Sequence, residues 1–239
     1  MITLALDTST RGGSVALVSG GRVIGCLSGE STEAHSERLP GDVLTLLAQH
    51  STALTEIDLF AVCVGPGSFT GLRVGLATVK GLALVSGRRI VPISTLKAVA
   101  HAGFDSAEPH SRPSVIVPWM NGHRGEVFAS VYAVEDGTLV ELEEARVGTP
   151  EIILNGWSHR LRQPPIMFVG DGLVEDDAII TAYLKGNVLL IPELPPLAPI
   201  IGILAESFGF DKALPAHSVT PLYVRRPDAE LAREQRRTE

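Results

Sequence analysis

The segment Gly65-Pro66-Gly67-Ser68-Phe69-Thr70-Gly71 joins a continuous apolar run to a long stretch of helix formers and small residues. Glycines in such a turn let backbone amides approach a ligand, and a helix starting there attracts anions. The pattern is not GxxxxGK[ST], because no lysine follows Gly71, and not GxGxxG, because position 70 is threonine. It reads either as a structural turn or as an anion site. Asp7-Thr8-Ser9-Thr10 puts a carboxylate and three hydroxyls at the end of a strand-like run, where the phosphates and metal of a nucleotide are held in a two-lobed ATPase. The plainer reading is a strand end capped by side-chain to backbone hydrogen bonds.

Other chemistries find no residues. The seven histidines include no HExxH and no pair four apart, so a helical two-histidine metal site is not expected. No serine stands in GxSxG. Cys26 and Cys63 form no CxxC and sit in apolar stretches, as packed, reduced thiols do.

The elements that must position these turns follow from periodicity. Strands are predicted over 2–8, 14–19 and 22–27, joined by glycine turns, then an amphipathic helix over 34–50 with Leu39, Val43, Leu46 and Leu47 on one face and Pro40 either at its first turn or kinking it. Leu59 to Val64 is apolar throughout, as in a strand buried on both faces. A helix over 70–86 carries only Arg73 and Lys80 as charges and reads as buried nearly all round, with Gly87 as its stop before a strand over 89–93. Residues 101–113 lose periodicity and gather proline, serine and histidine, so the boundary between two lobes is placed there. The second half repeats the first in outline, with strands over 114–119, 126–134 and 138–145, helical material over 150–161, a buried strand over 166–169 and an apolar helix over 197–208. The expected organisation is a lobe of residues 1–103, a second lobe of 104–223 and a charged tail of 224–239 that frays.

With 239 residues, 45% of them hydrophobic and 20% charged, the chain has ample material for a core. Twenty basic residues against 27 acidic ones give a net charge of −7, a field that repels a polyphosphate backbone. No signal-peptide pattern opens the chain, and no run of about 18 uninterrupted apolar residues is present, so a cytoplasmic protein without membrane association is expected.

LALDTST at residues 4–10, His35-Ser36-Glu37-Arg38-Leu39 and above all GPGSFTGLRVGLATVKGLAL at 65–84 resemble the bacterial TsaB (YeaZ) family. The likeness runs on through Arg124-Gly125-Glu126-Val127-Phe128, Gly170-Asp171-Gly172 and Pro221-Leu222-Tyr223-Val224-Arg225-Arg226, covering essentially the whole chain. It implies an α/β actin/Hsp70/sugar-kinase-like fold of two lobes, each a mixed sheet with flanking helices. It also implies a noncatalytic paralogue of TsaD that dimerises with it. TsaD transfers the threonylcarbamoyl group to the adenosine beside the tRNA anticodon, and TsaE joins as an ATPase. TsaD carries a metal-binding HxxxH; here the would-be ligands fall at Thr95 and Val99, neither of which replaces imidazole.

The resemblance further implies a helical interface, to TsaD or to a second copy of this chain, through His35, Arg38, Leu39, Val43, Leu72, Arg73, Gly75, Leu76, Val79 and Lys80. It leaves Asp7, Thr8, Ser9, Gly65, Gly67 and Ser68 as a vestigial nucleotide site for weak ATP or ADP binding, with no cofactor or metal required and tRNA met only through the complex. Two departures stand out: Pro40-Gly41 follows His-Ser-Glu-Arg-Leu, and Asn121 replaces the aspartate usual before the RxEVY-like segment. The alternative is an independent actin-like ATPase or kinase; a peptidase finds no nucleophile dyad.

Overall fold

The computed structural model describes residues 1–29, 35–108, 112–162, 165–186 and 188–225, and the side chains of 35 and 36 are outside this description. Two five-stranded mixed sheets carry the fold. In the first, β1 (Ile2–Asp7) pairs antiparallel with β2 (Ser14–Ser19), which pairs with β3 (Arg22–Ser28). On its other side β1 lies parallel to β4 (Leu59–Gly65), and β4 to β5 (Arg89–Ser94), giving the order β3-β2-β1-β4-β5. The second sheet repeats this with β6 (Val115–Asn121), β7 (Val127–Glu135), β8 (Thr138–Gly148), β9 (Ile166–Val169) and β10 (Val188–Ile191), in the order β8-β7-β6-β9-β10. The duplicated two-lobed α/β unit expected from the sequence is therefore present.

Helices fill three layers around the sheets. Helices α1 (His35–Gln49) and α2 (Phe69–Ser86) cover the outer face of the first sheet, where Leu4, Leu6, Val15, Leu17, Phe60 and Val62 meet them. Helices α4 (Pro150–Gly156) and α5 (Leu173–Tyr183) cover the outer face of the second, around Trp119, Trp157 and Phe168. Between the sheets lie α3 (Thr95–Ser106) and α6 (Ala198–Phe208), in one cluster that takes residues from both sheets. Strand alternation sorts these contacts: Leu4 and Leu6 face outward while Ala5 faces α6. Small inner residues let α6 close in, so that a Cβ at Gly202 would lie 2.5 Å from Val18.

Several expectations change. The division between 103 and 104 falls inside α3, which runs to Ser106, so only the later part of 101–113 is irregular. Residues 104–223 are not one lobe, because α6 returns to the first sheet: Ala198 donates its N–H to Ser14 Oγ at 3.0 Å and Glu206 accepts from Gly21 N at 2.6 Å. The charged tail starts later than 224, since Val224 and Arg225 are packed; its fraying concerns 226–239, outside the described residues. Helix α2 is, by length and composition alone, long and apolar enough to cross a membrane, although Arg73 and Lys80 interrupt its apolar run. It is also not buried all round: Leu72, Leu76, Val79 and Ala83 face inward while Leu84 and Val85 are exposed. Gly87 ends the helix as expected, at φ 67°, with its N–H bonded to the Ala83 and Leu84 carbonyls.

Candidate functional site

The first candidate site is the cleft between the lobes, a space of about 790 Å3 bordered by the β1–β2 turn, the β4–α2 turn, the β6–β7 loop and residues 222–225. The sequence-predicted nucleotide residues converge on its N-terminal wall, but most of their polar groups are already committed. Asp7 is fully buried; one carboxylate oxygen accepts from Ser9 N at 2.8 Å and Ser9 Oγ at 2.5 Å, the other from Thr10 Oγ1 at 2.5 Å. Ser68 donates its N–H to the Ser9 carbonyl at 3.0 Å, which draws the two turns together. Its hydroxyl caps α2 by accepting from Gly71 N at 3.2 Å. Gly67 is pressed against this contact, where an added Cβ would lie 2.6 Å from the Ser9 oxygen. Thr8 is buried with its hydroxyl unpartnered against Gly75, and Gly65 is buried beneath the Leu222 carbonyl. Only Gly67 and Ser68, with Ser9, border the cleft.

The C-terminal wall is a polar turn. Asn121 donates its N–H to Asp171 at 3.0 Å and its side-chain amide to Glu175 at 3.1 Å, and accepts from His123 N at 2.7 Å. His123 and Arg124 both have φ near 60°, a conformation that costs non-glycine residues energy. Behind the first wall, Cys63 is buried; burial first, then the charge of Asp7, push its thiol well up, so it is a packing residue and not a nucleophile. Thr95 and Val99, the positions matching the TsaD ligand pair, are both fully buried on α3. Among the described residues no three or more His, Cys, Asp or Glu side chains gather as a metal site.

The second candidate site is the α1–α2 pair. Of the predicted interface residues, Leu39, Val43, Leu72, Leu76 and Val79 point inward and are at most 5% exposed. Gly75 faces Thr8. The Arg38 guanidinium is folded back, donating to the Gly12 carbonyl and pairing with Asp42, each at 2.7 Å. Arg73 is exposed but lies 3.8 Å over the Phe69 ring, Lys80 is half-buried, and His35 starts α1 with its side chain outside the description. Those inward side chains cannot themselves contact a partner, because the apolar period that marks an amphipathic helix marks the face turned to its own sheet. Exposed on α1 is Leu44 at 69%, and on α2 are Leu84 at 71% and Val85 at 85%, with the exposed Ala77 and Gly81 on the same side of α2. Spacing alone held this signal: positions 77, 81, 84 and 85 form a second i, i+4, i+7, i+8 stripe. Pro40 lies within α1 on its exposed side and does not delay the helix start.

Comparison with known proteins adds identity to this geometry. Residues 24–163 match the family model described as TsaD: tRNA N6-adenosine threonylcarbamoyltransferase. The chain is 36% identical to the tRNA threonylcarbamoyladenosine biosynthesis protein TsaB of Haemophilus influenzae, over 79% of this chain and 80% of that one. It is 28% identical to TsaB of Escherichia coli, over 94% and 95% of the respective chains. Among solved structures, YeaZ from Pseudomonas aeruginosa superposes with a TM-score of 0.75 at 25% identity, covering 93% of this chain and 99% of that one.

Proposed function

The chain belongs to the TsaB (YeaZ) family of tRNA threonylcarbamoyladenosine biosynthesis proteins, and from that premise we propose that it is a noncatalytic subunit that docks a TsaD-like transferase through the outward face of α1 and α2. In this role it supports, with a TsaE-like ATPase, threonylcarbamoyl transfer to the adenosine beside the anticodon, and it works in the cytoplasm. The observation that carries the reading is the exposure of large apolar side chains on these two helices, Leu84 and Val85 on the α2 stripe and Leu44 on α1. A side chain of this kind gains about 1.5–3 kcal/mol on full burial, so a partner covering the stripe is strongly favoured. Small residues at 77 and 81 let a second helix approach closely, as helix pairing requires. The committed polar groups around Asp7 and Ser9 support an accessory role over catalysis.

Reconstitution tests it. Purified chain alone should form no modified nucleoside, and omitting it from a mixture of TsaD, TsaE and the adenylate-forming enzyme should abolish product measured by mass spectrometry. Full activity without the chain would overturn the proposal. Val85→Asp lies on the exposed face and should leave the fold intact while weakening TsaD association at least tenfold in light scattering or calorimetry. The same stripe serves a homodimer, and Val85→Asp would then make the isolated chain monomeric.

A second reading rests on the cleft, whose 790 Å3 is within the range of small-ligand pockets. An independent ATPase or kinase would bind ATP at micromolar concentration and lose turnover on Asp7→Ala. The accessory reading expects weak ATP or ADP binding at most and no turnover to lose.

A further inference from the structure

We infer that residues 222–225 act as an intramolecular strap that fixes the angle between the two lobes across the mouth of the cleft. Four consecutive residues are anchored at one end to the first lobe and at the other to the second. Leu222 donates its N–H to the Val64 carbonyl at 2.7 Å, at the end of β4. Its own carbonyl lies where a Cβ at Gly65 would come within 2.6 Å, so the backbone at 65 must be bare for the strap to seat. Tyr223 packs its ring 5.3 Å from Phe69 in the first turn of α2, and its hydroxyl accepts from Arg73 Nε at 3.2 Å. Val224 packs against the cluster shared by both lobes.

Arg225 completes the crossing. It donates to the Gly122 carbonyl at 2.7 Å, pairs with the Glu126 carboxylate and lies 5.3 Å over the Phe128 ring. All three partners belong to the β6–β7 hairpin of the second lobe. The arginine side chain is three-quarters covered, so its charge-assisted bonds are shielded from water more than an exposed pair would be.

Reach makes this a constraint and not just a set of contacts. A chain spans at most about 3.5 Å per residue, so four residues cannot stretch beyond roughly 14 Å. Hinge opening of the cleft must therefore break one of the two anchors. Two-lobed proteins of hinge type commonly close around a bound ligand. Here the strap joins the lobes through the protein's own atoms, and residues 222–225 form part of the cleft's lining.

The test uses the full chain with spin labels on Thr45→Cys in α1 and Thr181→Cys in α5, both exposed and on different lobes, in a Cys26→Ser background. Pulsed electron resonance should give one narrow distance distribution for the parent. Arg225→Ala should broaden it and move its mean outward by more than about 2 Å, the size of a genuine domain rearrangement. Glu126→Gln, at a side chain 36% exposed, removes only the ion pair and should broaden the distribution in the same direction. If Arg225→Ala does not fold, Glu126→Gln decides alone. Distributions identical to the parent in the folded variants would overturn the strap.

Discussion

His101 sits one turn beyond Lys97 on α3, in the layer between the sheets. Burial, and then the charge of Lys97, hold its imidazole down to about 4 from the usual 6.5. The unfolded chain takes up this proton near pH 6.5 and the folded chain only near pH 4, so stability is lost as pH falls through that window and is unaffected above it. The expected outcome is a urea midpoint that drops between pH 7 and 5 in the parent and drops less in His101→Gln. In sequence this histidine read as part of a polar connection, because Gly103, Asp105 and Ser106 surround it and the helix has no long run of large apolar residues. Gly87, by contrast, is readable as a helix stop because such a stop depends on a residue's own backbone freedom, whereas Ser68 reads as a nucleotide-site residue and is the N-cap of α2. Tyr223 and Arg225 stood in the sequence as a short motif without a role, since their partners lie 150 and 99 positions away.

At the scale of elements, α2 meets β1 at a point with no room. A Cβ at Gly75 would lie 2.2 Å from Thr8 Oγ1, a hydroxyl that has no hydrogen-bond partner. Gly75→Ala therefore gains helix propensity but should still destabilise by about 1–3 kcal/mol through overpacking, measured by urea unfolding. Thr8→Ala removes the clashing oxygen without orphaning a partner, so the double variant should recover most of that loss. Interior glycines in this helix suggest close approach by a neighbour, which holds at Gly75 against Thr8 but not at Gly81, where nothing lies nearby. Most strand bounds are legible from turn glycines and apolar runs, although β8 extends to Gly148 and β6 to Asn121, past their expected ends, whereas α5 and β10 are not legible. Helix α5 has almost no amphipathic asymmetry, with Val174 exposed and Ile180 buried on a short helix, and β10 is only half-buried.

The whole molecule is a stack of five layers, helix, sheet, helix, sheet, helix, and its middle layer belongs to both sheets. Lobes that share α3, with α6 packed on it from the first sheet, should not unfold separately. The fluorescence of Trp119 and Trp157, both on the outer side of the second sheet, should therefore report the same thermal midpoint as far-ultraviolet circular dichroism of the entire chain. A distinct earlier transition in either signal would show the lobes to be independent. The doubling of the fold was visible in sequence as a repeated strand and hairpin, but the return of α6 to the first sheet was not, because an apolar helix does not say which sheet it covers. That return also sets a schedule on the ribosome. The first sheet is complete by Ser94, yet its inner face waits for Ala198–Phe208 to be made. At roughly 5–20 residues per second, Ala5, Ala16 and Val91 stay without their helix for on the order of 5–20 s, long enough for a nascent chain to need shelter before its last segment arrives.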